Sequence, residues 1–164
     1  MNIKNSSLLL IISVLLFATA CDEHGYTEFD EKTFETERAQ WLDMQITDYQ
    51  FHVNYFSDAG PEEAIVHVKN AMLQSIELVP EKPSESIERR FSTITAVYDD
   101  IAAAVVEHSE QIDKGEIKGI TIKIKYNAEY HYPEEVNYSV GYNEDMNGGY
   151  YYSLKISDFK ILNN

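Results

Sequence analysis

The stretch TDYQFHVNYF, residues 47–56, alternates apolar and polar side chains with a period of two residues. The apolar set is Tyr49, Phe51, Val53 and Tyr55, and the polar set is Asp48, Gln50, His52 and Asn54. Because successive side chains of a strand point to opposite faces, this pattern predicts a strand with one buried side and one solvent-facing side. We therefore expect the chain to fold around a sheet that is covered on one face only.

Five further segments have the composition or alternation of strands. They are AIVHVKN (64–70), MLQSIELV (72–79), GITIKIKY (119–126), VNYSVGY (136–142) and YYYSLKISDFKIL (150–162). Tight turns are predicted at Asn70-Ala71 and at Asn147-Gly148-Gly149, because Asn and Gly tolerate the backbone angles that hairpin turns require. The segment PEKPSES, residues 80–86, is predicted to be a linker that separates the first three strands from the last three.

Two helices are predicted, one before each set of strands. Residues 33–45 place Phe34, Trp41 and Leu42 on one face of a helix. The second helix follows the linker, with Ser86 as its N-cap and Lys114-Gly115 as its stop. Its apolar stripe recurs at spacings of three and four, and consists of Ile87, Phe91, Ile94, Tyr98, Ile101 and Val105.

The element order α-βββ-α-βββ predicts an α+β fold, an antiparallel sheet with both amphipathic helices on one face. Residues 33–164 are expected to form one domain. Internal duplication is a second interpretation, with halves at 33–79 and 87–161, because a Pro-Glu-Glu triplet occurs in each half, at 61–63 and 133–135. The second set of strands is expected to pack under the second helix through Ile120, Ile122, Ile124, Leu154 and Ile156.

The beginning of the chain has the features of a secretory signal peptide. Lys4 precedes an apolar run, and small residues lead to Cys21, the one cysteine of the chain. Ala18-Thr19-Ala20-Cys21 resembles a bacterial lipobox, with Ala18 where Leu is usual. Residues 1–20 are therefore predicted to be a lipoprotein signal peptide, and residues 21–32 an acylated cysteine with a polar tether. A secreted protein with a chance cysteine is the alternative.

These features predict where the protein acts. An acylated Cys21 would hold the domain at a bacterial membrane, on the periplasmic or surface side of the cell envelope, without spanning the bilayer. The apolar run is also shorter than the roughly 20 residues of a spanning helix. With 13 Lys and Arg against 28 Asp and Glu, the net charge of −15 argues against nucleic acid as a partner, since phosphate binding depends on basic residues.

Several of these segments together resemble a known family. They are Trp41, TDYQFHV (47–53), IVHVKNAMLQSI (65–76), TITAVYDDI (93–101), IKYNAEYHYPEEVNYS (124–139) and LKISDFKI (154–161). The chain resembles, over roughly residues 38–161, the uncharacterised bacterial lipoprotein family called domain of unknown function 6174. His131 stands where the family pattern has Gly. The resemblance implies a small secreted or lipid-anchored domain with no assigned chemistry.

Metal and catalytic motifs are weak in this sequence. Asn143, Asp145 and Asn147 partly fit the start of a calcium loop, but Leu154 stands where a bidentate Glu is required. His52 and His67 would share a metal ion if their strands paired symmetrically across the loop 57–62, although no third ligand is evident. No nucleophile motif or phosphate loop is present, so neither catalysis nor a cofactor is predicted.

Tyrosine is concentrated near the end of the chain, with eight of the twelve between Tyr126 and Tyr152. Tyrosine is favoured at recognition surfaces, and the alternative reason for its abundance is strand propensity. The exposed face is predicted to carry Tyr151, Lys123, Lys125 and Lys155 as a surface for an unidentified protein partner. The sequence thus predicts a membrane-anchored, non-catalytic binding or structural domain; a secreted hydrolase-type enzyme and a metal- or cation-binding lipoprotein are the alternatives.

Overall fold

A computed structural model describes residues 25–79, 87, 90–142 and 149–162. Within these ranges it contains two helices, α1 (Glu31–Asp43) and α2 (Ile94–Asp113). Its strands are β1 (Tyr26–Glu28), β2 (Tyr49–Ser57), β3 (Gly60–Lys69), β4 (Met72–Leu78), β5 (Gly119–Tyr126), β6 (Pro133–Gly141) and β7 (Tyr150–Ile161). Neither described helix is both long and apolar enough to cross a membrane.

The seven strands form one sheet in the order β1-β5-β6-β7-β2-β3-β4. All neighbouring pairs are antiparallel except β1 and β5, which are parallel. The α+β class is therefore confirmed. The prediction of a purely antiparallel sheet is wrong, because one short parallel strand is added at the edge.

This added strand, β1, lies in the stretch that the sequence indicated as a polar tether. Tyr26 pairs with Gly119, and its ring covers Gly119 and Gly141 on the neighbouring strands. A Cβ atom at Gly119 would lie 2.4 Å from the Tyr26 carbonyl oxygen, so only glycine admits this close approach. The tether prediction is thus corrected for residues 26–32, which contain β1 and the beginning of α1.

The alternation in the opening stretch is confirmed, because Tyr49, Phe51, Val53 and Tyr55 are all buried. The predicted turn between β3 and β4 is also present, with Asn70 and Ala71 at φ values of 51° and 60°. Two successive positive φ values match a type I′ turn, whose twist suits a two-residue hairpin.

Both helices begin at residues other than those predicted. The Asp30 side chain caps α1 by accepting a hydrogen bond of 3.0 Å from Thr33 N–H. Helix α2 begins at Ile94 rather than near Ile87, because Thr93 has extended backbone angles and caps the Ala96 N–H. The predicted cap, Ser86, lies outside the described residues.

The two helices lie on the same face of the sheet. Phe34 of α1 contacts Tyr98 of α2 at 5.4 Å between ring centroids, and Trp41 packs edge-on against Tyr49 of β2. The predicted core residues of β5 and β7 are buried as expected, except that Ile124 is only half-buried. Although α2 begins later, Ile87 and Phe91 of the predicted stripe are also buried in the core.

The sheet topology argues against an internal duplication in which a rotation relates the two halves. The two Pro-Glu-Glu triplets do lie at equivalent places, at the start of the middle strands β3 and β6. However, β7 pairs antiparallel with β2. The units β5-β6-β7 and β2-β3-β4 therefore follow the same order across the sheet, but their corresponding strands point in opposite directions. No rotation relates two such units while keeping their helices on the same face.

Candidate binding cleft

Helix α2 has a second face that does not pack into the core. Its residues follow the helical spacing of three and four, and are Ala96, Asp99, Asp100, Ala103, Ala104, Glu107 and His108. The three alanines leave room beside the sheet because their side chains end at Cβ. The result is a cleft of about 520 Å³ between this face and the tyrosines of β6 and β7.

Three tyrosines form the sheet side of the cleft. Tyr138 and Tyr152 are directly opposite in the β6–β7 register, so their rings stack at 4.8 Å and 10°. Tyr150 meets Tyr152 edge-on, with ring centroids 6.0 Å apart. The cleft therefore offers aromatic faces and edges together with phenolic hydroxyl groups.

Arg90 lies at one end of the cleft. Its guanidinium donates two hydrogen bonds of 2.8 Å to the two carboxylate oxygens of Asp100 and one of 3.1 Å to the Tyr55 hydroxyl. The same group lies 4.8 Å from the ring centroid of Tyr152, a cation–π distance. Burial alone lowers the pKa of Arg90, but the bonds and charge of Asp100 outweigh burial and raise it. Arg90 is thus a fixed cation within the site.

The Tyr152 hydroxyl is the unusual polar group of the cleft. Tyr152 is 1 % exposed, and its hydroxyl has no hydrogen-bond partner in the described part of the chain. Leaving such a group unpaired costs about 1–3 kcal/mol. Burial, reinforced by the negative charge of Asp100, raises the pKa of Tyr152, so the phenol stays protonated. A ligand that supplied a hydrogen-bond partner would recover this cost.

His108 and Tyr138 form the other end of the cleft. His108 Nδ1 lies 2.7 Å from the Ala104 carbonyl oxygen and 2.6 Å from the Tyr138 hydroxyl. Because a carbonyl oxygen only accepts, Nδ1 carries the proton and Nε2 is the ring nitrogen left to interact elsewhere. Burial, together with the charge of Glu107, raises the pKa of Tyr138, so this phenol is protonated as well.

The described lining consists of tyrosines, alanines, acidic residues, one arginine and one histidine. None of the lining residues is a Ser, Thr or Cys that His108 could activate as a nucleophile. The two stacked phenols are held in their protonated form and are hydrogen-bond donors rather than nucleophiles. Among the described residues there is also no group of three or more His, Cys, Asp or Glu side chains placed to hold a metal ion.

The predicted partner residues lie together on the opposite, uncovered face of the sheet, near residues 135–139 of β6. Tyr151 is 40 % exposed, and its hydroxyl lies 3.3 Å from Asn137 Oδ1. The three lysines are paired with acids, in the contacts Lys123–Glu28 (3.3 Å), Lys125–Glu134 (2.7 Å) and Lys155–Glu135 (3.9 Å). The face is therefore charge-balanced rather than cationic, and protein binding there stays a prediction.

The histidine pair does not have the predicted geometry. His52 lies opposite Ile65, and His67 opposite Gln50, because the β2–β3 hairpin closes two residues away from the symmetric register. Each imidazole is instead close to an acid, His52 at 2.8 Å from Glu63 and His67 at 3.1 Å from Glu77. The predicted face-to-face pairing of His52 and His67 is therefore wrong, and metal binding by these two residues stays a prediction.

The remaining predicted sites are not covered by the structure. Cys21 and the partial calcium loop with Asn143, Asp145 and Asn147 lie outside the described residues. Leu154 is described, and it is a buried core residue of β7.

The cleft was not predicted from the sequence, although two signals for it were present. Ala and acidic residues recur on α2 at the same three-and-four spacing as the apolar stripe, one position away from it. Tyrosine is also concentrated in β6 and β7, where the sequence predicts only Tyr151 as a partner residue, on the opposite face of the sheet. Together, the Ala and acidic face of the helix and the tyrosines of the strands indicate a site between α2 and the sheet.

Residues 33–161 match the model of a family described as "Family of unknown function (DUF6174)". No curated protein and no solved structure matches the chain. The family match covers more than half of the 164 residues and agrees with the resemblance seen in the short motifs. The chain therefore belongs to DUF6174, a family of unknown function.

Proposed function

We propose that this protein is a bacterial envelope lipoprotein whose domain binds a ligand without catalysing a reaction. Acylated Cys21 anchors the chain to a membrane, and the cleft between α2 and the tyrosines of β6 and β7 is the binding site. The observation that carries the binding function is the Tyr152 hydroxyl, which is buried at the cleft and has no hydrogen-bond partner among the residues that the structure describes. A ligand bound in the cleft would supply the missing hydrogen-bond partner.

Non-catalytic binding is favoured over a hydrolase-type enzyme by the chemistry of the cleft. Covalent catalysis needs a nucleophile within hydrogen-bond reach of a base. His108 is bonded instead to the protonated Tyr138, and the helix side of the cleft is made of alanines and acids. Reproducible turnover of an ester, phosphoester or glycoside that is lost in His108→Ala would overturn this interpretation.

The anchor is tested by replacing Cys21. Wild-type cells and cells with Cys21→Ala are grown with a fatty-acid analogue, and the protein is followed in membrane and soluble fractions. We expect labelling and membrane retention in the wild type, and neither in Cys21→Ala, because the thiol is the acylation site. Asp22→Asn is the matched control, and it should keep the label. Labelling that persists in Cys21→Ala would refute the anchor.

A further inference from the structure

The cleft is more negative than positive. Its described lining includes Asp99, Asp100 and Glu107, and one guanidinium, that of Arg90. Arg90 occupies both carboxylate oxygens of Asp100, and Arg38 pairs with Asp99. Within the described ranges, no Lys or Arg forms an ion pair with Glu107. An incoming ligand thus meets a net negative field, which attracts cations and repels anions.

The aromatic lining of the cleft also favours a cation over an anion. Ring faces carry the negative part of the aromatic quadrupole, so a cation placed over them is stabilised. The cleft already does this for one internal cation, since the Arg90 guanidinium carbon lies 4.8 Å from the Tyr152 centroid and 5.7 Å from that of Tyr55. Tyr138 and Tyr150 add further rings along the cleft.

A buried hydroxyl that can accept a hydrogen bond also lies beside the cleft. The Tyr152 hydroxyl oxygen has free lone pairs, because no described residue donates to it. An N–H group of a protonated amine would satisfy this oxygen with a charge-assisted hydrogen bond, which is stronger than a neutral one. An anion could accept a hydrogen bond from the same hydroxyl, but it would have to approach Glu107, whose charge no described Lys or Arg neutralises.

We propose that the cleft binds a small organic cation, a protonated amine attached to an apolar or aromatic body. The volume of about 520 Å³ lies within the range of small-molecule sites. The amine is held by Tyr152 and the carboxylate of Glu107, while the body packs against Ala96, Ala103 and the tyrosine rings. This inference rests on the proposed binding function and names the ligand class for the same cleft.

The charge of the ligand is tested with three probes of matched shape. Phenethylammonium, 2-phenylethanol and 3-phenylpropanoate are titrated calorimetrically into the purified full-length chain in neutral detergent. We expect saturable binding of the ammonium, at least about tenfold weaker binding of the neutral alcohol, and the weakest binding of the carboxylate. Binding of the carboxylate as tight as that of the ammonium would overturn the cation assignment while leaving a binding cleft.

Two variants locate the site. Tyr152→Phe should weaken phenethylammonium binding about tenfold, since a hydrogen bond to a charged group is lost. Glu107→Gln should weaken it about threefold to tenfold by removing one negative charge at the cleft. Glu110→Gln removes the same charge from the same helix, where Glu110 faces Lys114 instead, and should change binding less than twofold. Equal losses in the two Gln variants would show only a general charge effect and would overturn the site.

Two further outcomes separate this inference from the proposed function. If none of the three probes binds at concentrations up to about 10 mM, the limit of weak small-ligand affinity, the cation proposal and the binding cleft both fail. An Nα-acetyl-lysine amide that binds tighter than phenethylammonium would assign the cation to a protein side chain and overturn the small-molecule assignment. The membrane anchor is measured separately through Cys21, so its outcome is independent of both.

Discussion

The two faces of α2 treat buried polar groups in opposite ways. On the core side, Tyr49 accepts a hydrogen bond of 3.1 Å from Ile94 N–H, and Trp41 Nε1 donates to Thr95 at 3.3 Å. Tyr98 donates its hydroxyl to the His131 carbonyl oxygen. At the cleft, by contrast, the Tyr152 hydroxyl is buried without a partner in the described residues, and a cavity lies beside it.

The difference shows how one helix can serve both packing and binding. Its first turns carry large apolar residues toward the core, and Ile94, Val97 and Tyr98 are completely buried. Its cleft-facing side carries Ala103 and Ala104 instead, which cannot fill the space above the sheet. The core face therefore stabilises the fold, whereas the cleft face lies beside a buried hydroxyl that has no partner among the described residues.

Trp41→Ala should have the largest effect on stability. Trp41 is 3 % exposed, contacts both Tyr49 and Phe159, and bonds to Thr95, so its loss removes packing and a hydrogen bond together. We expect a decrease of about 3–5 kcal/mol in the free energy of unfolding, measured by urea denaturation. Leu42→Ala is the control at the next position, because Leu42 is 51 % exposed, and it should change this free energy by about 0.5 kcal/mol or less.

Removing one hydroxyl on each face of α2 sharpens the comparison. Tyr49→Phe should lower the free energy of unfolding by about 1–2 kcal/mol, because the Ile94 N–H loses its acceptor at the start of α2. Tyr152→Phe should leave it unchanged or raise it by up to about 1 kcal/mol, because no hydrogen bond to a described residue is lost and a buried hydroxyl without such a partner disappears. Equal destabilisation by both changes would contradict the distinction between the two faces.

Tyr151→Ala should have the smallest effect. Tyr151 lies on the uncovered face, one residue from Tyr152, and is 40 % exposed. We expect a change in the free energy of unfolding of about 0.5 kcal/mol or less, whereas Tyr152→Ala should cost about 3–5 kcal/mol through lost packing. Thermal denaturation of both variants compares the two faces directly. If Tyr151→Ala unfolded the domain, Tyr151 would be a core residue, and the side chains of β7 would lie on the opposite faces of the sheet from those in the structure.

The sequence predicted the strands well because their pattern is local. A period of two assigns each residue of β2 to a face, and the buried set found in the fold is the set that the alternation gives. The beginning of α2 was missed because the apolar stripe continues through Ile87 and Phe91 into the core, although Thr93 has already left the helical conformation. Phe91 N–H donates a hydrogen bond of 3.0 Å to the Ile87 carbonyl oxygen, so these two buried residues are joined by a separate helical turn that precedes α2.

His131 illustrates a position that the tertiary structure explains. The resemblance to the family implies Gly at this position, and the structure gives His131 a φ of 59°, in the left-handed region that glycine adopts easily. The histidine compensates for this conformation through its side chain, since Nδ1 lies 2.9 Å from Glu37 Oε2 of α1. The His-for-Gly difference therefore adds a contact between this loop and the first helix.

The sequence by itself determined the α+β class, the alternation of the strands and the acidic character of the chain, because these follow from local periodicity and composition. Only the tertiary structure decided the order of strands, the parallel β1 and the closing of the hairpins, because these depend on residues distant in sequence. The cleft belongs to the second group. Arg90, Asp100 and Tyr152 come together only when α2 is placed over β7, and no local pattern encodes that contact.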